Sequence, residues 1–154
     1  MKLLSKEEEM KKGRVIFILA VLSIFSLSIF AAAFKPYPQA KLHEKATRDG
    51  MEIAAQMKQN IKIEVYTTDE SFEKVYEFYK GAAAEYKMPY HTPEGTKLPT
   101  GQILKEAFFI FDGAKDLAAS KLWIKIQRPA VGLTKEDLQK NTIRDVTVIT
   151  VSVK

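Results

Sequence analysis

The sequence predicts an α+β domain in which an antiparallel sheet of about five strands carries one long amphipathic helix on a face. Three observations support this fold class. Several segments alternate apolar and polar residues with period two, one segment repeats at helical spacing, and their order is strand, strand, helix, strand, strand, strand. The 154 residues are 46% hydrophobic and 28% charged, so a core can form. We expect an N-terminal segment at 1–33, a linker at 34–40 and a single domain at 41–154.

The N-terminal segment contains twenty residues without a charge, VIFILAVLSIFSLSIFAAAF at 15–34, after three basic residues between positions 11 and 14. Two interpretations stay open. The length suits a membrane anchor, whereas the basic start and the A-x-A pattern of Ala31 and Ala33 suit a signal peptide cleaved before Phe34. Either way, the positive-inside rule predicts that the domain is exported to the periplasm or beyond, and that only an uncleaved 15–34 segment contacts the membrane.

The first two predicted strands lie at 41–48 and 51–67. Asp49-Gly50 between them suits a type I′ hairpin turn, because both positions need a positive φ. After the turn, apolar residues dominate the odd positions from Met51 to Val65. This alternation favours a strand over the helix that MEIAAQMKQ would favour by propensity alone.

A helix is predicted next, in and after VYTTDESFEKVYEFYK at 65–80. Thr67 and Glu70 match a capping box at its start, and Met88-Pro89 would end it. At helical spacing, Phe78 falls about 100° from the centre of the apolar stripe, so we expect either other parts of the chain or a partner to cover it. The stripe comprises Phe72, Val75, Tyr76, Tyr79, Ala82, Ala83 and Tyr86.

The remaining chain predicts a loop at 87–102, strands at 104–111, 121–128 and 145–154, and a short helix capped by Thr134 and Asp137. The loop has three prolines and two glycines and is long enough to be functional or disordered. Apolar residues occur on both faces of the first and last of these strands, and one helix cannot cover both. We expect the loop, the short helix, a ligand or a second subunit to cover the other face, so a homo-oligomer is one possible state.

Two segments resemble a family of small exported bacterial domains of unknown function: YPQAK at 37–41 and VYTTDESFEKVYEFYK at 65–80. Members of this family begin near Y-P-G-A-K, continue through YTT-D-SFEKV-x-FYK, and end in strands rich in threonine and valine. Gln39 departs from the pattern, which has glycine there. The resemblance implies an exported domain of this fold, and it carries over no catalytic or binding residue.

No motif in the sequence predicts catalysis or cofactor binding. Cysteine is absent, which excludes disulfides and thiolate sites, and neither a nucleophile elbow nor a phosphate-binding glycine loop occurs. The net charge is +5, of which +3 follows Phe34, too mild and dispersed for a nucleic-acid surface. We therefore expect no enzyme, no cofactor and no nucleic-acid partner. A small metal-dependent enzyme with a site at His91 and Glu94, beside Tyr90, is the less favoured alternative.

The sequence instead favours an exported non-catalytic domain that binds a small ligand or another protein. If the N-terminal segment is retained, the domain would be a membrane-tethered accessory subunit of an envelope complex. Aromatic rings interspersed with cations suit an interaction surface, although cross-strand pairing within the sheet also explains such a pattern. The candidate residues are Phe78, Trp123, Lys121, Lys125, Tyr66, Tyr90 and His91.

Overall fold

The fold is known from a computed structural model that describes residues 34–90 and 94–154, so the predicted anchor or signal peptide at 1–33 lies outside the described residues. Three helices lie in the described part: α1 (Glu44–Gln56), α2 (Phe72–Lys80) and α3 (Lys135–Lys140). None of them is long and apolar enough to span a membrane. The strands are β1 (Lys41–Leu42), β2 (Lys62–Thr68), β3 (Ala84–Tyr86), β4 (Thr96–Lys97), β5 (Ile103–Ile110), β6 (Leu122–Arg128), β7 (Ala130–Val131), β8 (Ile143–Arg144) and β9 (Thr147–Val153).

Seven strands form one antiparallel sheet in the order β1-β2-β9-β6-β5-β3, with β4 also paired to β5, and β7 pairs with β8 separately. The predicted antiparallel α+β architecture is confirmed. The predicted count of about five strands, their order and the single long helix are wrong. Four short strands, β3, β4, β7 and β8, escaped prediction because two or three residues are too few to show a period.

One face of the sheet, here called the first face, packs against α2. Val75 and Tyr79 of this helix are at most 1% exposed. Beneath them the register places Phe109 of β5 opposite Ile124 of β6, and both side chains are fully buried. Burial of these side chains supplies the main apolar contribution to folding.

The opposite, second face of the sheet packs against α1, which the sequence analysis wrongly assigned to two strands. Ala46 of α1 is 2% exposed and clusters with Val65 of β2 and Val148 of β9. His43 caps the helix, since its Nδ1 atom accepts a hydrogen bond from the Ala46 N–H at 3.1 Å. Helix α1 therefore covers part of the second face, which a single helix on the first face could not cover.

Gly50 lies inside α1 and does not form the predicted hairpin turn. A Cβ atom at this position would approach Cγ2 of Ile63 to 3.2 Å, so the absent side chain lets the helix come close to β2. Its neighbour Asp49 accepts a hydrogen bond from the Lys135 N–H at 2.9 Å, which joins α1 to α3. The Asp-Gly pair thus has a packing role here.

The helix α2 begins and ends within the predicted one. Ser71 is its N-cap, accepting a hydrogen bond from the Lys74 N–H at 3.3 Å, in place of the predicted Thr67 box. The helix ends at Lys80, before the predicted stop at Met88-Pro89. Residues Ala84–Tyr86 instead pair with Phe108–Ile110 of β5, and this non-local pairing overrides local helix propensity.

The sheet edge beside β5 is interrupted. Tyr86 of β3 lies opposite Phe108, and Thr96 of β4 lies opposite Leu104. Ten residue steps separate Tyr86 from Thr96, whereas four separate their partners, so the edge carries six extra residues between the two pairs. Both short strands run antiparallel to β5, which makes them two parts of one edge strand. This interruption coincides with the predicted loop at 87–102.

Candidate functional site

A groove of about 470 Å³ lies beside the interrupted sheet edge, and we call it the edge groove. Its volume is in the range of small-molecule sites. Side chains alternate along β5, so Ala107 faces α2 on the first face whereas Phe108 faces the second. The groove lining includes both Ala107 and Phe108, so the groove extends around the sheet edge from one face to the other. It is lined by Phe72, Glu73, Tyr76 and Glu77 of α2, by residues 85–88 and Gly95 of the edge, and by residues 105–108 of β5.

Aromatic rings of α2 form one wall of the edge groove. The rings of Phe72 and Tyr76, four residues apart, stack with centroids 5.9 Å apart and planes 22° apart. Tyr76 also rests on the buried ring of Phe109 at 5.5 Å. Lys80, which is not part of the lining, places its Nζ atom 5.6 Å from the Tyr76 ring centroid. This wall is therefore fixed by packing and already carries a cation on one of its rings.

The charges that line the groove are predominantly negative, with four glutamates against two lysines. Lys105 is hydrogen-bonded to Glu73 and lowers the pKa of that carboxyl. Lys125, outside the groove, pairs with Glu106. Glu77 contacts Lys80 at 3.4 Å. Three of the four lining glutamates thus each have a lysine partner.

Glu85 differs from the other three glutamates in its partner. Its Oε2 atom accepts a hydrogen bond from the Tyr76 hydroxyl at 3.0 Å. None of the ion pairs between described residues includes Glu85. The pKa of Tyr76 is raised, chiefly by burial, then by the hydrogen bond to Glu85 and by the negative charges of Glu85 and Glu77. Tyr76 and Glu85 therefore form one polar and aromatic unit inside the groove.

The predicted interaction surface is only partly brought together. Trp123 and Lys125 lie on the second face, and both contact Phe108, with ring centroids 6.3 Å apart and Nζ 5.9 Å from the ring centroid. Lys121 precedes β6, and its main-chain N–H donates to Asp112. These contacts are the cross-strand contacts of a stabilised sheet.

The other predicted residues lie apart from this cluster. Tyr66 lies on the first face, where its hydroxyl donates to Glu64 at 2.9 Å. Phe78 is 37% exposed, and its ring meets Tyr37 at 5.3 Å and Tyr79 at 4.9 Å, both edge-on. The segment before β1 therefore covers part of Phe78. Tyr90 is 96% exposed.

His91 of the predicted metal site lies outside the described residues, and Glu94 is exposed. Among residues 34–90 and 94–154, no group of three or more histidines, aspartates or glutamates is placed to hold a metal ion. The edge groove itself has no histidine, serine or aspartate among its described lining residues. The described part of the groove thus offers rings, carboxylates and ammonium groups, which are suited to binding.

Sequence reasoning missed most of the edge groove. The apolar stripe assigned Phe72 and Tyr76 to the packed side of one long helix, and no glutamate of the groove was among the candidate interaction residues. The sequence did contain a signal for the groove in its spacing, since the rings at 72 and 76 and the acids at 73 and 77 repeat together every four residues. The proline-rich segment that follows them was correctly located.

A second, smaller cavity of about 260 Å³ lies between α1, α3 and the second face. Its wall includes Ile53, Ile63 and Leu138, and also Asp49 and Lys135, whose hydrogen bond joins α1 to α3. It has no aromatic side chain among its described lining residues, whereas the edge groove combines aromatic rings with carboxylates in a larger volume.

No family model matches the chain, and neither a search of curated proteins nor one of solved structures found a match.

Proposed function

We propose that this chain is a non-catalytic ligand-binding domain that acts outside the cytoplasm, and that the edge groove is its binding site. The observation that carries the proposal is the lining itself, in which the stacked rings of Phe72 and Tyr76 stand beside several carboxylates. Apolar walls with a few placed polar groups are typical of small-molecule sites.

The protonation of the groove also favours binding over hydrolysis. A carboxyl that acts as general acid near neutral pH needs a raised pKa. The hydrogen bond from Lys105 lowers the pKa of Glu73 instead. This leaves Glu73 ionised, suited to orient or attract a ligand.

Export rests on the uncharged run at 15–34 and the basic residues before it. Cleavage before Phe34 would release the domain, whereas retention would make it a membrane-tethered accessory subunit. N-terminal sequencing of the protein recovered from its exported compartment separates the two, because a start at Phe34 excludes the tether.

Methionine methyl resonances offer a direct test of the binding site. Met88 lies in the groove lining, whereas Met51 and Met57 lie on and just after α1. The full chain, labelled with ¹³C at its methionine methyl groups and held in lipid nanodiscs, would be titrated with benzyl alcohol, benzylammonium and benzoate. Matched leucine substitutions assign the three resonances.

The proposal predicts that at least one of these probes shifts the Met88 resonance in a saturable way and leaves Met51 and Met57 in place. If no probe moves Met88, or all three resonances shift together without saturation, the edge groove is not a ligand site.

A further inference from the structure

The placement of Glu85 points to the kind of ligand that the edge groove accepts. Its carboxylate is held by the Tyr76 hydroxyl at 3.0 Å, a neutral donor that leaves the negative charge uncompensated. The other three glutamates of the lining are each paired with a lysine, so the distinctive negative group of the groove is Glu85. A cation entering the groove would meet this charge directly.

The Tyr76 ring supplies the second contact that a cation needs. An ammonium or guanidinium group is attracted to the face of an aromatic ring within about 6 Å of its centroid. Lys80 already makes this contact with Tyr76 at 5.6 Å, so the ring attracts a cation and a ligand cation would take the place of the Lys80 ammonium group. The stacked Phe72 ring and the half-buried Met88 add apolar surface for the body of a ligand.

We propose, building on the ligand-binding function above, that the edge groove selects organic cations: an ammonium or guanidinium group on an apolar body, bound between the Tyr76 ring and the Glu85 carboxylate. A free amine and a lysine or arginine side chain share this chemistry. The groove discriminates against anions of the same size, because the Glu85 carboxylate repels them.

The test compares four probes on the full chain in nanodiscs, with the Met88 methyl resonance as readout. Benzylammonium and benzyl alcohol are nearly isosteric and differ mainly in charge, since benzyl alcohol is neutral. Benzoate has the opposite charge. Nα-acetyl-lysine methylamide represents a peptide side chain. We expect benzylammonium to bind at least about threefold more tightly than benzyl alcohol, because one cation contact with a ring or a carboxylate contributes about this much. We expect benzoate not to bind.

A matched pair of variants tests the role of Glu85. E85Q removes the charge and keeps an acceptor for the Tyr76 hydroxyl, and we expect it to weaken benzylammonium binding about two- to fivefold without affecting benzyl alcohol. E64Q is the control for net charge, because Glu64 also accepts a hydrogen bond from a tyrosine hydroxyl, that of Tyr66 at 2.9 Å, but pairs with Lys62 and lies outside the groove. Y76F retains the ring and should bind cations, whereas Y76L should not.

The outcomes separate this inference from the function on which it rests. Equal binding of benzylammonium and benzyl alcohol at Met88 would preserve a ligand site and overturn cation selection. Binding of neither would overturn both. If E64Q weakens benzylammonium as much as E85Q does, the effect is one of net charge, and the assigned position between Tyr76 and Glu85 is wrong. Binding of the lysine probe identifies a protein partner as the source, and its absence identifies a free amine.

Discussion

The hydroxyl of Tyr79 donates a hydrogen bond to the main-chain carbonyl of Lys35 at 3.2 Å. This bond joins the buried side of α2 to the segment that precedes β1, and the contact between Phe78 and Tyr37 lies next to it. The segment predicted as a linker is therefore held against the helix at two neighbouring points.

Alkaline pH should weaken this attachment. Burial raises the pKa of Tyr79 well above the value of about 10 that it has in an unfolded chain. The neutral hydroxyl thus contributes stability that is fully present below about pH 10 and is lost as the pH rises further. Y79F should cost about 1 kcal/mol at neutral pH and flatten the alkaline fall in stability. Chemical denaturation between neutral pH and about pH 12 measures both the loss of stability at neutral pH and its alkaline fall.

Burial and a hydrogen bond to Glu64 also raise the pKa of Tyr66, to about 12, so part of the alkaline dependence should persist in Y79F. Y90F is the matched control, because Tyr90 is 96% exposed and should change nothing. An alkaline profile identical in Y79F and the parent protein would contradict the prediction.

Two glycines with the same backbone conformation should respond differently to alanine. Gly95 (φ +82°) and Gly101 (φ +85°) both occupy the left-handed region. An added Cβ at Gly95 would lie 2.5 Å from the Leu104 carbonyl oxygen, whereas Gly101 has no atom within 4 Å. G101A should cost only the conformational penalty of about 1 to 2 kcal/mol, and G95A should cost clearly more because β4 must shift from β5.

Thermal denaturation compares the two variants, and Met88 chemical shifts report whether G95A also disturbs the edge groove. Equal losses of stability would mean that β4 can move away from Leu104 at little cost, and that the interrupted edge is not held by this close approach.

Acid pH should weaken the region around α3. Asp137 is 3% exposed, and its carboxylate accepts two hydrogen bonds from Arg144, at 2.7 and 3.0 Å. The hydrogen bonds from Arg144 lower the pKa of Asp137. The contribution of Asp137 to stability is therefore present above about pH 4, which is the pKa of an aspartate in an unfolded chain. It is lost as the pH falls below this value.

We expect D137N to cost about 2 kcal/mol at neutral pH, through the capping box with Thr134 and the pair with Arg144. The difference in free energy of unfolding between D137N and the parent protein should become smaller below about pH 4. E136Q on the same helix removes an exposed carboxylate paired with Lys140 and should change the stability little, because solvent screens this pair. Urea denaturation at several pH values distinguishes them, and a pH-independent loss in D137N would contradict the assigned ionisation.

The sequence predicts an element well where its periodic pattern is long or its capping residues are adjacent in sequence. The strands β5, β6 and β9, and the Thr134 and Asp137 cap, were predicted for this reason. The first helix was missed because its apolar residues also fall at alternate positions. A second pattern was present, since Ala46, Gly50 and Ala54 lie four residues apart and form the small-residue side of α1 that meets β2.

The edge groove could not be predicted in the same way. It arises from the register of β3 and β4 on β5, which leaves six extra residues along the chain between the two pairs. Register depends on contacts between segments distant in sequence, and a single sequence does not contain it explicitly. The composition of 87–102 indicated only that something irregular begins there.

The position of α1 beside β2 yields the last prediction. The edge of β2 presents main-chain N–H groups, and Thr47 of α1 accepts the hydrogen bond from the Val65 N–H through its Oγ1 atom at 2.9 Å. T47V is nearly isosteric and has a similar helix propensity, but it leaves this donor without its acceptor at a cost of about 1 to 3 kcal/mol. T47S keeps the acceptor and should cost distinctly less. Hydrogen exchange at the Val65 amide should accelerate in T47V and not in T47S; equal exchange in the two variants would show that the side chain of Thr47 does not protect the edge of β2.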